Sequence, residues 1–103
     1  MGYFATQTKT VDLGDGNSIV IRKLTYGENL DTLSRSLTPS GHLDSFMHAR
    51  YRLRLAIVSW EGADFEGREV THKNIDALPI DLARKVNDAI AELNKEVTAD
   101  EGN

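Results

Sequence analysis

Two stretches rich in β-branched residues, 6–13 and 18–24, lie near the start of the chain. Residues of this type favour strands, and the segment Gly14-Asp15-Gly16-Asn17 between them has the composition of a tight turn. The pattern therefore predicts an N-terminal β-hairpin. An isolated hairpin is marginally stable in water, so another part of the chain or a partner must cover its apolar face.

The length of the turn decides which side chains share that face. A two-residue loop, Asp15-Gly16, would place Asp12 opposite Ile19. A three-residue loop ending at Asn17 instead pairs apolar residues with each other, Leu13 with Ile19 and Val11 with Ile21. We predict the three-residue loop, because it collects the apolar side chains on one face and asparagine tolerates the left-handed conformation that the loop requires.

A short helix is predicted after the hairpin. Thr25 and Glu28 have the spacing of a capping box, in which both side chains bond free backbone amides at a helix start. Apolar residues follow at helical spacing to about residue 37, and Thr38-Pro39-Ser40-Gly41 ends the pattern. The apolar positions of this helix are Tyr26, Leu30, Leu33 and Leu37.

A second helix is predicted over roughly Leu43 to Trp60, with apolar residues over more than half of its circumference. Such a helix is either the centre of the fold or half core and half interface. One apolar stripe comprises Phe46, Ala49, Leu53, Ala56, Ile57 and Trp60, and the other comprises Leu43, Met47, Tyr51, Leu55 and Val58.

The last third of the chain has the cleanest helical pattern. A polar, glycine-bearing loop over residues 61–68 is long enough to be mobile. Thr71 begins a helical turn, and Pro79 lies at the start of a closing helix that should pack on the second helix. The apolar positions of the closing helix are Leu82, Val86, Ile90, Leu93 and Val97.

These elements predict one α+β domain over residues 1–97, in which the N-terminal β-hairpin is followed by three to four helices packed as a small helical layer. Residues 98–103 contain no large apolar side chain and are expected to form a flexible C-terminal tail.

Composition narrows the class of protein. The 103 residues include no cysteine, and 12 Lys and Arg against 16 Asp and Glu give a net charge of −4. The longest apolar run is far shorter than a membrane span, so we expect a soluble intracellular protein with no membrane contact. The net negative charge disfavours binding to the phosphate backbone of a nucleic acid. No motif indicates a catalytic, cofactor-binding or metal-binding residue, so neither an enzyme nor a cofactor is expected.

Three arginines on the second helix, Arg50, Arg52 and Arg54, carry the most informative charges. Arg50 and Arg54 fall between the two apolar stripes, where a covered guanidinium needs a partner. One interpretation is an internal ion pair with a carboxylate of a neighbouring helix, Asp31, Asp81 or Asp88, or simple burial of the aliphatic stems with the charged groups extended into solvent. A second is a protein interface, and a third is a nucleic-acid contact made by the three arginines.

The interface interpretation draws on residue types that are enriched where proteins meet. Trp60 has two readings, as a core anchor that closes the second helix or as part of the interface. The same helix supplies Met47, Arg50, Tyr51, Arg54 and Trp60.

Three segments together resemble a known protein family. They are Asp15-Gly16-Asn17-Ser18-Ile19-Val20-Ile21-Arg22-Lys23-Leu24, Ala56-Ile57-Val58-Ser59-Trp60-Glu61-Gly62 and Val70-Thr71-His72-Lys73-Asn74-Ile75-Asp76-Ala77-Leu78-Pro79. In this layout the chain resembles the tail assembly chaperones of long-tailed bacteriophages over roughly residues 6–95.

The resemblance implies a non-enzymatic assembly factor in the cytoplasm of a bacterial host. Such chaperones keep the long helical tape-measure protein soluble and help tail-tube subunits polymerise around it, so the implied partners are the tape-measure protein and the tail-tube protein, with homo-oligomers as a further option. We expect helix-in-groove binding. The expected partner-binding residues are Met47, Tyr51, Val58 and Trp60 as apolar contacts, with Arg50 and Arg54 pairing with acidic side chains of the client.

Two alternatives remain open from the sequence. One is a structural component of the virion, a head–tail connector or a tail subunit. The other is a small regulatory or nucleic-acid-binding domain that uses Arg50, Arg52 and Arg54.

Overall fold

A computed structural model describes the backbone of residues 2–101 and the side chains as far as Asn94. It shows the predicted α+β fold, with a three-stranded antiparallel sheet and four α-helices in the described part of the chain. The elements are β1 (Thr8–Gly14), β2 (Asn17–Arg22), α1 (Tyr26–Arg35), α2 (Ser45–Ala56), β3 (Ile57–Glu61), a one-turn 3-10 helix (Ala63–Phe65), α3 (His72–Asp76) and α4 (Ile80–Glu101).

The predicted hairpin is confirmed, but its predicted three-residue loop is wrong. Asp15 and Gly16 form a two-residue loop with φ values of 54° and 80°, and Gly14 pairs with Asn17. Leu13 is an extra residue between the pairs of β1 and β2, so the register shifts and Val11 pairs with Ile19. The bulge allows the favoured Asp-Gly turn and the pairing of apolar residues on the buried face to occur together. Without a bulge, the two-residue loop gives only the turn and the three-residue loop gives only the apolar pairing.

The C-terminal part of the predicted second helix is a strand. Helix α2 ends at Ala56, and β3 follows it without a connecting loop and pairs antiparallel with β2. Ile57 pairs with Ile21 and Trp60 with Ile19, while Val58 is the extra residue of a second bulge. The bulge interrupts the alternation of apolar and polar residues by which a strand is recognised. Ile57 and Trp60 are therefore three positions apart in the sequence, a spacing that is typical of a helix.

One face of the sheet forms the core together with α2 and α4. Ile19, Ile21 and the α4 residues Val86 and Ile90 are all fully buried. The closing helix packs on α2 as predicted, since these residues form a single cluster with Leu53 and Ala56 of α2. The rest of that cluster is Val11, Ile57, Phe65, Ile75 and Leu93.

Helix α1 buries polar residues and exposes apolar ones. Its predicted capping box is present: the amide of Glu28 donates to the Thr25 hydroxyl (3.2 Å), and the Glu28 carboxylate accepts from the Thr25 amide (3.0 Å). Thr32 and Ser36 are buried, and their hydroxyls donate to α1 backbone carbonyls four residues earlier. Small buried hydroxyl residues allow α1 to lie close to α2, and most of its predicted apolar face is directed outward.

The loop after β3 is fastened to the tip of the hairpin. The Asn17 side-chain amide donates to the Asp64 carboxylate (2.8 Å), and its oxygen accepts from the Asp64 amide (3.1 Å). The Phe65 ring is buried and stacks on the Trp60 ring with centroids 5.0 Å apart. Trp60 also donates from its indole nitrogen to the carbonyl of Arg68 (2.7 Å). These contacts hold the segment that was predicted as a mobile loop against the sheet.

The predicted helix starts at the C-terminal end are also present. The Thr71 hydroxyl accepts from the Asn74 amide (3.1 Å) at the start of α3, and α4 begins directly after Pro79. Residues 98–101 belong to α4, while Gly102 and Asn103 lie outside the described residues. The flexibility of 98–103 stays a prediction.

Within residues 2–101, no helix combines the length and the apolar character needed to cross a bilayer.

Candidate partner-binding groove

A groove of about 270 Å³ lies between α1, α2 and α3. Tyr51 and Leu55 of α2 form its floor, residues of α1 form one wall, and Arg54 and the first residue of α3 lie on the opposite side. We call this site the α2 groove. Its lining residues are Asp31, Thr32, Arg35, Tyr51, Arg54, Leu55 and His72.

The floor of the groove is one face of α2. Tyr51 and Leu55 are one helical turn apart, and Met47 lies one turn before Tyr51 on the same face. All three side chains are half-buried. The Asp44 carboxylate fixes the start of α2 by accepting from the amides of Phe46 (3.0 Å) and Met47 (3.2 Å). Tyr51 and Leu55 thus give the groove a mainly apolar floor on a capped helix, and Met47 extends that helix face beyond the groove.

Asp76, at the end of α3, binds both Arg54, which lines the groove, and Arg50, which lies one helical turn before Arg54, and we call this pair of arginines the rim of the groove. Arg50 donates from Nη2 to Oδ2 (2.8 Å), and Arg54 donates from Nη2 to Oδ2 (2.6 Å) and from Nε to Oδ1 (3.3 Å). Internal pairing was one of the interpretations of these arginines, and the structure confirms it. The three carboxylates predicted for that role, Asp31, Asp81 and Asp88, are not the partner.

The Arg50–Asp76–Arg54 cluster keeps a net charge of +1, because two guanidinium groups share one carboxylate. Hydrogen bonds from Arg54 and Arg50 lower the pKa of Asp76 from 3.8 to about 2. The Arg50 side chain is 47% exposed, and its Nε and Nη1 groups have no hydrogen-bond partner among the described residues. The rim therefore offers donors and positive charge to an acidic group outside the chain.

We expect the contribution of Asp76 to stability to depend on pH. A carboxyl whose pKa is lower in the folded state stabilises the fold above its unfolded pKa and loses that effect as the pH falls through the folded value. The free energy of unfolding of Asp76→Asn should thus lie below that of the wild type at about pH 6. That gap should shrink as the pH falls from 3.8 to about 2.

Urea denaturation across this pH range measures the gap. Asp81→Asn is the matched control for losing one negative charge, since Asp81 is exposed and forms no ion pair within the described residues. A gap between the wild type and Asp76→Asn that is constant from about pH 6 to about pH 2 would contradict the assigned role.

The predicted partner-binding residues divide into two groups in the structure. Tyr51 and Arg54 line the α2 groove, and Met47 and Arg50 each lie one turn of α2 before one of them, while the role of all four in partner binding stays a prediction. Val58 and Trp60 lie on β3, because the helix ends before them. Val58 is exposed, whereas Trp60 is held by Phe65 and the Arg68 carbonyl. Val58 and Trp60 therefore lie outside the α2 groove.

Three features of the site were absent from the sequence prediction. The pairing with Asp76 has no signal in the sequence, because α3 has only five residues and its hydrophobic pattern does not define how the helix is oriented. The wall formed by Asp31 and Arg35 is an i,i+4 ion pair (2.8 Å), a spacing that is visible in the sequence. Leu55 belonged to an apolar stripe whose burial the sequence left open.

Comparisons with protein-family models, curated proteins and solved structures gave no match for this chain. Within the described part of the chain, no group of three or more histidine, aspartate or glutamate side chains is placed to hold a metal ion.

Proposed function

We propose that this protein is a non-enzymatic tail assembly chaperone that binds the tape-measure protein of a long-tailed phage and assists assembly of the tail tube. The resemblance of the three sequence segments to that family supports the identity of the partner. The α2 groove supports the mode of binding, because it is the place where an apolar helix face and unsatisfied positive charge meet on one surface.

The groove suits the side chains of a helix better than a small molecule. Its volume of about 270 Å³ is below the usual range of ligand pockets. One or two apolar anchors of an amphipathic helix can contact Tyr51 and Leu55 on the floor. An acidic side chain on the same helix can then accept hydrogen bonds from Arg50 at the rim. The proposed client segment is thus an amphipathic helix with an acidic flank.

Co-expression with the tape-measure protein of the same genome tests this function. We expect the tape-measure protein to become soluble and to co-purify with the wild type. Tyr51→Glu should lose most of both effects, because it puts a carboxylate on the groove floor. Val58→Glu is the matched control, an exposed apolar residue on β3 that should keep both effects.

Two other results would contradict the proposed function, and each would support a different one. If the tape-measure protein stays insoluble and unbound while this protein enters purified phage particles, the chain is a structural component of the virion. If the chain instead binds nucleic acid with a steep dependence on salt, and the binding is lost when Arg50, Arg52 and Arg54 are changed together, it is a nucleic-acid-binding domain.

A further inference from the structure

The segment before β1, residues 2–7, carries two aromatic side chains that no described residue covers. The Tyr3 side chain is 103% exposed and the Phe4 side chain is 101% exposed. The segment, which we call the arm, joins the sheet where the Lys23 amide donates to the Gln7 carbonyl (2.8 Å). An open cleft of about 770 Å³ separates the arm from residues 22–27. Two adjacent uncovered aromatic side chains are costly in water.

A second uncovered apolar region lies on α1, on the side away from the α2 groove. Tyr26 is 80% exposed, and Leu30, one turn later, is 47% exposed. Leu37 and Leu43, both about half exposed, form an isolated antiparallel bridge, which places them side by side beyond the end of the helix. We call these four residues the α1 apolar surface. Tyr26 also lines the cleft, so the arm and this surface meet at one end of the molecule.

Charge at this end permits the approach of an identical chain. The arm, Gly-Tyr-Phe-Ala-Thr-Gln, has no ionisable group other than the tyrosine phenol. The α1 residues next to the apolar surface on its exposed side are Gly27, Asn29 and Ser34, all uncharged. Arg22, which pairs with Glu28, and Lys23 also line the cleft, so the charge beside the arm is opposite in sign to the net charge of −4 that each copy carries.

The area available is enough for a stable dimer when both arms take part. An aromatic side chain buries about 150–250 Å², so four of them contribute about 600–1,000 Å². The surfaces that they cover contribute a similar area, which brings the total to about 1,200–2,000 Å², the size of a standard specific interface. A two-fold axis at this end of the molecule would make the contacts reciprocal, as a closed dimer requires.

We propose that the chain forms a two-fold dimer in which Tyr3 and Phe4 of each copy cover the α1 apolar surface of the other. The occupant of the surface is a second copy because the chain itself supplies an uncovered aromatic segment and an uncovered apolar surface beside each other. The α2 groove lies on the opposite side of α1 and stays open in this dimer.

Sedimentation equilibrium of the purified chain from about 5 to about 500 µM tests the dimer. We expect the wild type to pass from monomer to dimer in this range. Two variants should weaken the dimer about a hundredfold: Tyr3→Ser with Phe4→Ser, and Leu30→Glu, which places two carboxylates in the interface. The arm variant removes only exposed side chains, so it should leave the circular dichroism spectrum unchanged, and also the urea midpoint when both proteins are compared at about 5 µM or below, where the wild type is monomeric.

Ile80→Ser is the matched control, since Ile80 is 70% exposed and lies outside both surfaces. It should dimerise like the wild type. A wild type that stays monomeric to about 500 µM would overturn the proposal, and so would a dimer that keeps its affinity in either the arm variant or Leu30→Glu. Because the α2 groove is untouched, the arm variant should still solubilise the tape-measure protein, which separates this test from that of the proposed function.

Discussion

Replacing Gly62 by alanine is expected to lower the free energy of unfolding by about 3 kcal/mol, the largest effect that we expect of a glycine-to-alanine change within the described residues. Gly62 has a φ of 130°, which side-chain-bearing residues rarely adopt. An added Cβ would overlap the Asn17 side-chain oxygen and lie 2.7 Å from the Asn17 Cα. To relieve the overlap, Asn17 must give up its two hydrogen bonds with Asp64.

Gly67→Ala is the control for backbone strain without a clash. Gly67 also has a positive φ, 70°, but an added Cβ would have no neighbour within 4 Å. It should therefore cost about 1 kcal/mol, the penalty of the left-handed conformation alone. Urea denaturation followed by far-ultraviolet circular dichroism compares the two variants. If the two variants lose the same free energy of unfolding, the loop moves away from Asn17 without cost and the predicted clash is wrong.

Replacing Trp60 by alanine is expected to lower the free energy of unfolding by about 2–3 kcal/mol. The change removes the stacked partner of the buried Phe65 ring and leaves the Arg68 carbonyl without its indole donor. Phe65 lies at the end of the 3-10 helix, so the loop after β3 should open and become sensitive to protease. Unfolding is followed by circular dichroism, because Trp60 is the sole tryptophan of the chain and the variant has no tryptophan fluorescence.

Val58→Ala is the control for Trp60→Ala on the same strand. Val58 is 48% exposed, and its loss should cost less than about 1 kcal/mol and leave the loop resistant to protease. If Trp60→Ala instead leaves stability and protease resistance unchanged while it abolishes client binding, the interface interpretation of Trp60 replaces the core interpretation.

Elements with local determinants could be predicted from the sequence. The capping box of Thr25 and Glu28, the cap at Thr71 and the start of α4 after Pro79 depend on residues within four positions of each other, and all are confirmed. The presence of a hairpin also depends on neighbouring residues, because the turn residues lie between two β-branched stretches. Such features carry their physical cause in the adjacent sequence.

Features that depend on pairing across the sheet could not be predicted in this way. The bulges at Leu13 and Val58 shift the strand register by one residue, and a bulge has no sequence signal as strong as a turn or a cap. Residues 57–61 fit a helical apolar pattern, yet pairing with β2 makes them a strand. Tertiary pairing overrides the local pattern at that position.

The sequence predicts which residues share a face of α2, but it does not predict which side chains of other elements pair with them. Spacing alone places Tyr51 and Arg54 near each other on one helix, and both line the groove in the structure. The choice of Asp76 as the carboxylate for Arg50 depends on how α3 packs against α2, and that packing is set by Ile75 in the core. The outward direction of the α1 apolar face follows from burial of Thr32 and Ser36, a reversal of the usual pattern.

Photochemical cross-linking from the groove floor tests most directly whether the α2 groove binds the tape-measure protein. A photoreactive phenylalanine derivative in place of Tyr51 conserves an aromatic ring at that half-buried position, and the same derivative in place of Val58 lies on exposed β3. We expect irradiation of the co-expressed complex to join position 51, and not position 58, to an amphipathic helix of the tape-measure protein. Cross-links from position 58 with none from position 51 would contradict the account.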